Sequence, residues 1–315
     1  DANEHAFVQF MLDRQWDQLH SYAAERGVGF IGDVPIFVHA DSTDVRKRPE
    51  LFRLDRNGNP SVVTGVPPDD YCANGQLWGH PHYRWATHKR QHFSWWIDRF
   101  RLAISRFDAI RVDHFIGFVR LYEVASNAKT ARHGVWRRTP GRLLLEMLQQ
   151  KLGDLPLIAE DLGEVTPAVH ALRDDFNLPG MRIVQWGFFG DHSNDLPMNH
   201  PSRCVCYPGT HDNDTIRGWY RSLPRQAKAR FNAITGCERA ADAAMSMITL
   251  CMSSPAECCV IPMQDILNLG SAARMNRPGT PRGNWTWRMS GHAPFSIARS
   301  LRPTVDHRSR MLPRQ

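Results

Sequence analysis

The chain has no apolar run approaching the roughly 18 residues of a membrane span, so a membrane protein is not expected. No helix-turn-helix, zinc-finger or RNA-binding signature accompanies its formal charge of +7, and its arginines are dispersed, which argues against a nucleic-acid partner. The start, DANEHAFVQF, has neither a basic stretch followed by an apolar one nor an initiator methionine. There is thus no secretory signal to read, and the chain is expected to begin inside something longer. The seven cysteines include no paired C-x-x-C, and nearby histidines do not fall at ligand spacing, so a zinc site has little support. Reduced thiols in a cytoplasmic protein are the expectation. Internal repeats, low-complexity segments and linkers are also missing.

What is present is a chain of 315 residues, 42% hydrophobic and 23% charged, enough for a large core in one barrel or two smaller domains. Between Phe7 and Arg26, Val8, Leu12, Trp16, Leu19 and Ala23 recur at helical steps, and Gly27 supplies a stop. A strand-like run, VGFIGDVPIFV, follows with an aspartate near its end. From His39 to Tyr83 the sequence is rich in Pro, Gly, Asp and Asn, and reads as a long ordered loop of the kind that carries function. A helix is predicted over 85–105, with others over 140–152, 166–176 and 239–252. Strands are predicted near 28–34, 107–113, 156–161, 181–187, 203–207 and 257–262.

Alternating helices and strands imply a parallel sheet covered by helices, and polar residues gather after the apolar part of each strand. That is the active-site end of a (β/α)8 TIM-type barrel, which is the predicted fold class within α/β. A doubly wound sheet comes second, because no glycine-rich turn follows the first strand.

Within FDAIRVDHFIGF (107–118), alternation puts Arg111 and Asp113 on one face and Asp108 on the other, which removes Asp108 from any shared chemistry. An arginine beside a carboxylate favours its charged form, as a nucleophile needs, although on these two residues alone a plain ion pair is the favoured explanation. Two more strand ends are acidic: Glu160 and Asp161 in LIAEDLG, and Asp212 beside His211 in GTHDND. Crowded carboxylates repel, so the one with least cationic support holds a proton. Asp113 is then the ionised member and Glu160 the protonated one, the two states that glycoside bond cleavage uses. A divalent-metal site built from the same acids ranks lower, since Arg111 would repel the cation.

RVDHF, AEDLG and GTHDND, in that order, resemble the nucleophile, acid/base and stabiliser regions of the α-amylase clan. GDVPIFVHADSTDV, GVPPDDYCANGQLWGHPHYRW, LPGMRIVQW, GTHDNDTIRGWY and ARMNRPGTPRGNWTWR narrow the resemblance to amylomaltase, the 4-α-glucanotransferase or disproportionating enzyme, from about Phe7 to Met289. The resemblance implies transfer of α-1,4-glucan segments between maltooligosaccharides by a retaining double displacement. Asp113 would attack C1, Glu160 would act as acid and then base, and Asp212 would stabilise the cationic transition state. Arg111 would orient Asp113, and His211 would bind the same sugar. In the loop 65–83, Tyr71 and Trp78 would stack on sugar rings, while Asp70 and Gln76 would bind hydroxyls. Core packing explains Trp78 equally well and is favoured for Trp85. Asn276, Asn284 and Trp285 would be supporting structure. No metal or organic cofactor is implied, because the chemistry is acid–base and nucleophilic.

The predicted barrel occupies 1–289, with a substrate-loop insertion around 39–83, and the arginine-rich stretch 290–315 is expected to be a disordered or foreign tail. Six of a barrel's eight strands can be assigned, and the first two are expected to be missing. Two other readings stay open: an α-glucan hydrolase with the same acids, and an inactive glucan-binding fragment.

Overall fold

A computed structural model of the protein describes residues 2–69, 72–190, 192–278 and 283–289. The predicted tail 290–315 lies outside the described residues, as do Asp70 and Tyr71. The chain forms two compact units, divided between Pro179 and Gly180. In chain order, the first holds β1 (Ile31–Val34), β2 (Val62–Val66), β3 (Gln76–Pro81), β4 (Ala109–Val112), β5 (Arg120–Ala125), β6 (Gly134–Arg138) and β7 (Leu157–Ala159). The second holds β8 (Gly180–Ile183), β9 (Cys204–Tyr207) and β10 (Cys258–Cys259).

In the first unit β4 lies between β1 and β7, all parallel, with Asp33 opposite Arg111 and Val112 opposite Ala159. Ile110 and Val112 alternate with Arg111, and they are fully buried in the core beneath the sheet. That core continues into an aromatic cluster of Phe52, Tyr83, Trp95, Trp96 and Phe100. Trp96, T-shaped on Trp95 at 4.9 Å, sits in the helix Ser94–Arg106 that backs the sheet. The single helix predicted over 85–105 is two, Trp85–Arg90 and Ser94–Arg106. The chain breaks at His92 and Phe93, both left-handed with φ of 49° and 53°, and buried Phe93 anchors the break.

The segment 39–83 is less of a loop than its composition implies. It contains the short helix Thr43–Lys47, capped by the Ser42 hydroxyl, and two strands that join an antiparallel sheet in the order β3-β2-β5-β6. Strands β5 and β6 are absent from the predicted set. The N-terminal helix runs Ala2–Ala24, yet of its predicted apolar stripe only Trp16 and Ala23 tuck inward, whereas Val8, Leu12 and Leu19 are about half exposed. Trp16 fixes the helix by donating to the Arg106 carbonyl at 3.0 Å and packing on Phe30 and Phe107. Asp108 accepts from the Phe30 backbone N–H at 2.7 Å and meets His20 at 3.2 Å, a structural tie at the entry to β4.

In the second unit β9 lies between β8 and β10, again parallel. Helices Ile216–Ser222, Arg225–Thr235 and Ala243–Met252 cover a core of Val184, Phe188, Trp219, Phe231, Met247 and Ile248. The first two of these helices bury Ile216, Trp219 and Tyr220, then Ala227 and Phe231, at helical steps that the sequence reading passed over. All six predicted parallel strands are present, each near its expected place.

Candidate active site

In the first unit the charged residues follow from the ladder. Past the end of β4 the Asp113 N–H donates to the Val34 carbonyl at 3.1 Å. Past the end of β7 the Glu160 N–H donates to Val112 at 3.1 Å, and the Glu160 carbonyl accepts from Phe115 at 3.0 Å. Both acids are therefore held by extended sheet hydrogen bonding rather than by loop conformation, which favours a fixed geometry.

Arg111 is mostly buried and clamps Asp33 bidentately, its Nε to Oδ1 at 3.0 Å and its Nη2 to Oδ2 at 2.8 Å. The same Nη2 lies 3.1 Å from Oδ1 of Asp113. Arg111 thus belongs to Asp33 first and reaches Asp113 from there. Asp33 is a partner of Arg111 that the sequence reading passed over. The available signal was the aspartate near the end of VGFIGDVPIFV, but pairing it with Arg111 needs the register of β1 on β4.

Glu160 sits differently. Enclosure by the surrounding protein, then the negative charge of Asp113, pushes its carboxyl well above the ordinary 4.5, against the opposing effects of Arg111 and the His114 N–H. That N–H donates to Oε2 at 2.8 Å. Asp161 is buried and paired with Arg173, a structural acid rather than a second candidate. His114 takes a left-handed backbone, φ 52°, and burial lowers its imidazole to about 4, so it is neutral at physiological pH. Its ring meets Trp78 edge-on at 4.9 Å. Trp78 also packs on the core through Phe37, and its indole N–H donates to Gln76 Oε1 at 3.3 Å. Gln76 and Trp78 therefore contact each other on β3. Trp85 packs on Tyr83 and Trp96, the structural role favoured for it.

In the second unit His211 and Asp212 lie just beyond β9, with His211 Nε2 3.5 Å from Asp212 Oδ1. The C-terminal motif builds their support. Asn276 Nδ2 donates to Asp212 Oδ1 at 2.6 Å, the Asn276 N–H donates to the His211 carbonyl at 3.0 Å, and Arg274 Nη2 donates to the Asp212 carbonyl at 2.6 Å. Asn284 donates to the Ala272 carbonyl at 2.9 Å, and the exposed Trp285 ring lies 6.2 Å from His211.

Parallel strands alternating with helices, with an arginine-clamped carboxylate and a second, enclosed carboxyl at their ends, place the chain in the class of α/β barrel-type proteins. The 4-alpha-glucanotransferase family profile matches residues 1–294. The chain belongs to that family. It is 46% identical over 293 residues to the 4-alpha-glucanotransferase of Thermus thermophilus, covering 90% of this chain and 59% of that protein. It is 42% identical over 288 residues to the chloroplastic/amyloplastic 4-alpha-glucanotransferase of Solanum tuberosum, covering 91% of this chain and 50% of that one. Among solved structures, the amylomaltase from Streptococcus agalactiae in complex with acarbose superposes with a TM-score of 0.93 at 36% identity, covering 97% of this chain and 62% of that chain. The fold class is accordingly that of a (β/α)8 barrel, incomplete, as the sequence implied. The chain spans between half and about three-fifths of the length of these curated relatives.

Proposed function

We propose that this chain carries the catalytic acids of a 4-α-glucanotransferase, moving α-1,4-glucan segments between maltooligosaccharides with retention at the anomeric carbon. The observation that carries the reading is the contrast between two neighbouring strand ends. Asp113 shares Arg111 with Asp33, whereas Glu160 is raised by enclosure and by Asp113 itself. A donor glucan would be attacked at C1 by the Asp113 carboxylate while the Glu160 carboxyl gives its proton to the departing oxygen. Glu160, now a carboxylate, would then take the proton of an incoming sugar hydroxyl, and that hydroxyl displaces Asp113. Asp212, held by Asn276, is proposed as the third acid and His211 as a sugar contact, both on the strength of the motif resemblance. Gln76 and Trp78, and with them Asp70 and Tyr71, are proposed as glucan contacts. Acarbose accompanies the Streptococcus agalactiae amylomaltase, and an α-glucan-like ligand is the partner proposed here. The proposed setting is the cytoplasm, in keeping with seven cysteines present as thiols.

Incubation with maltotriose tests the activity. A ladder of longer oligosaccharides with little gain in reducing ends is the expected result. Glucose and maltose with rising reducing ends would make the chain a hydrolase, and binding without turnover would make it a glucan-binding fragment.

A further inference from the structure

Three of the cysteines that form no spacing motif in the sequence come together in the second unit. Cys206 on β9, Cys259 on β10 and Cys251 in the last turn of the helix Ala243–Met252 bring their sulfurs within 4.8 Å of one another. Register accounts for the first two: they are opposed residues of adjacent parallel strands, so their side chains leave the sheet on the same face. Cys251 reaches them from within the same apolar core as Cys206.

One buried cysteine is an ordinary small apolar filler. Three sulfurs in mutual contact are three soft donors around one point. We propose that Cys206, Cys251 and Cys259 form a three-sulfur binding site for a thiophilic monovalent cation of the copper(I) type.

Geometry, donor chemistry and access each support this. A metal–sulfur bond of about 2.3 Å places trigonal sulfurs about 4.0 Å apart, so the trio closes on an ion with small side-chain adjustments. Structural zinc takes four ligands, and among the described residues this cluster has three members. A set of three sulfur donors selects soft ions, and calcium and magnesium, which take oxygen ligands, are excluded by the same reasoning. Cys206 and Cys251 are fully buried, whereas Cys259 is partly exposed and marks the side from which an ion enters.

Burial pushes the Cys251 thiol well above its ordinary range, so without an ion the cluster is neutral and sits comfortably in its core. Binding then follows a definite balance. Two thiols each lose a proton to solvent, two metal–sulfur bonds form, and the third sulfur donates as a neutral thiol. The site ends with one net negative charge, and neither sulfur nor metal changes oxidation state. Two released protons make the apparent affinity rise by about a hundredfold per pH unit below the thiol range.

The test titrates the reduced full chain, without oxygen, with copper(I) presented as a chelator complex. Ultraviolet sulfur-to-metal charge transfer and intact-mass stoichiometry are the readouts. One ion per chain is expected, with affinity rising as pH rises. Cys206→Ala and Cys251→Ala should each weaken uptake by more than about a hundredfold, beyond what loss of an outer partner costs. Cys72→Ser, a cysteine of the first unit outside the trio, should leave uptake unchanged. Circular dichroism checks that each variant is folded, and Cys259→Ser, at the partly exposed position, decides the matter if a core variant is not. Absent one-to-one uptake, pH-independent affinity, or uptake unchanged in the folded variants would each overturn the proposal.

Discussion

Arg111 holds two carboxylates at once, and its planar fork is what makes that arrangement possible. A lysine keeps the charge but loses the bidentate grip on Asp33, leaving the cation free to wander. Arg111→Lys is expected to lower kcat by about tenfold or more while the fold survives, measured as maltotriose disproportionation alongside thermal melting. Unchanged kcat would mean that charge alone serves Asp113. Glu160 makes a prediction in which function and stability oppose. Its folded carboxyl is raised above 4.5, so between that value and the raised one the folded state holds a proton that the unfolded state has lost. Stability therefore falls as pH climbs through this window, and the protonated acid needed for the first step is lost only at its upper end, where the folded carboxyl itself ionises. Glu160→Gln should lower kcat by roughly 10²- to 10⁴-fold and remove the basic limb of its pH profile. Its melting temperature near pH 8 should equal or exceed that of the parent; a clear drop there would refute the enclosed, raised carboxyl. The different surroundings of Asp113 and Glu160 were legible because an arginine stands two residues from one and no cation flanks the other. Asp33 was not, because its partner is 78 residues away and only strand register brings them together.

At the scale of elements, apolar runs gave away the parallel strands, since buried central strands have few polar positions. The antiparallel sheet hid better. RLYEVA and GVWRR mix charges into short strands whose exposed faces look like loop, and β2 lay within a stretch read as punctuation. The helix break at His92–Phe93 was equally hidden, as neither residue announces a left-handed turn. Close approaches between elements supply a direct check on this packing. Gly141 opens the helix Gly141–Leu152, and a Cβ there would lie 1.9 Å from the Phe118 carbonyl oxygen. Backbone cannot step aside as a flexible side chain does. Gly141→Ala should therefore destabilise by roughly 1–3 kcal/mol despite alanine's better helix propensity, read as a fall in urea midpoint. A neutral or stabilising result would show that the helix does not press on the turn Phe115–Phe118 as described. In the second unit, Asp265 caps the helix Ile216–Ser222 by accepting from the Ile216 N–H at 2.7 Å, and burial raises its carboxyl to about 7. Between its ordinary 3.8 and 7 the folded chain holds the extra proton, so this group too lowers stability as pH rises. Asp265→Asn keeps an accepting oxygen without the charge, and should gain on the order of 1–2 kcal/mol at pH 8 but nothing at pH 4.

For the whole molecule, the expectation of an incomplete barrel rested on counting strand-like runs, and the count of six parallel strands among the described residues agrees with it. What the count could not supply was the division into two compact units, each with its own apolar core. Residues 34–178 and 184–256 fill those cores separately, a partition that periodicity within single elements does not encode. The overall reaction tests the mechanism independently of any one residue. A covalent step on Asp113 inverts C1 once and the acceptor inverts it again, so every new linkage should be α, while the released fragment keeps the anomeric mixture of the substrate's own reducing end. Proton NMR of the glycosidic anomeric protons during maltotriose turnover distinguishes this directly. Signals of new α linkages are expected. A new β linkage would require a single displacement by an activated acceptor, and Asp113 would then be a base separated from Glu160 by more than the roughly 5–5.5 Å of a retaining pair.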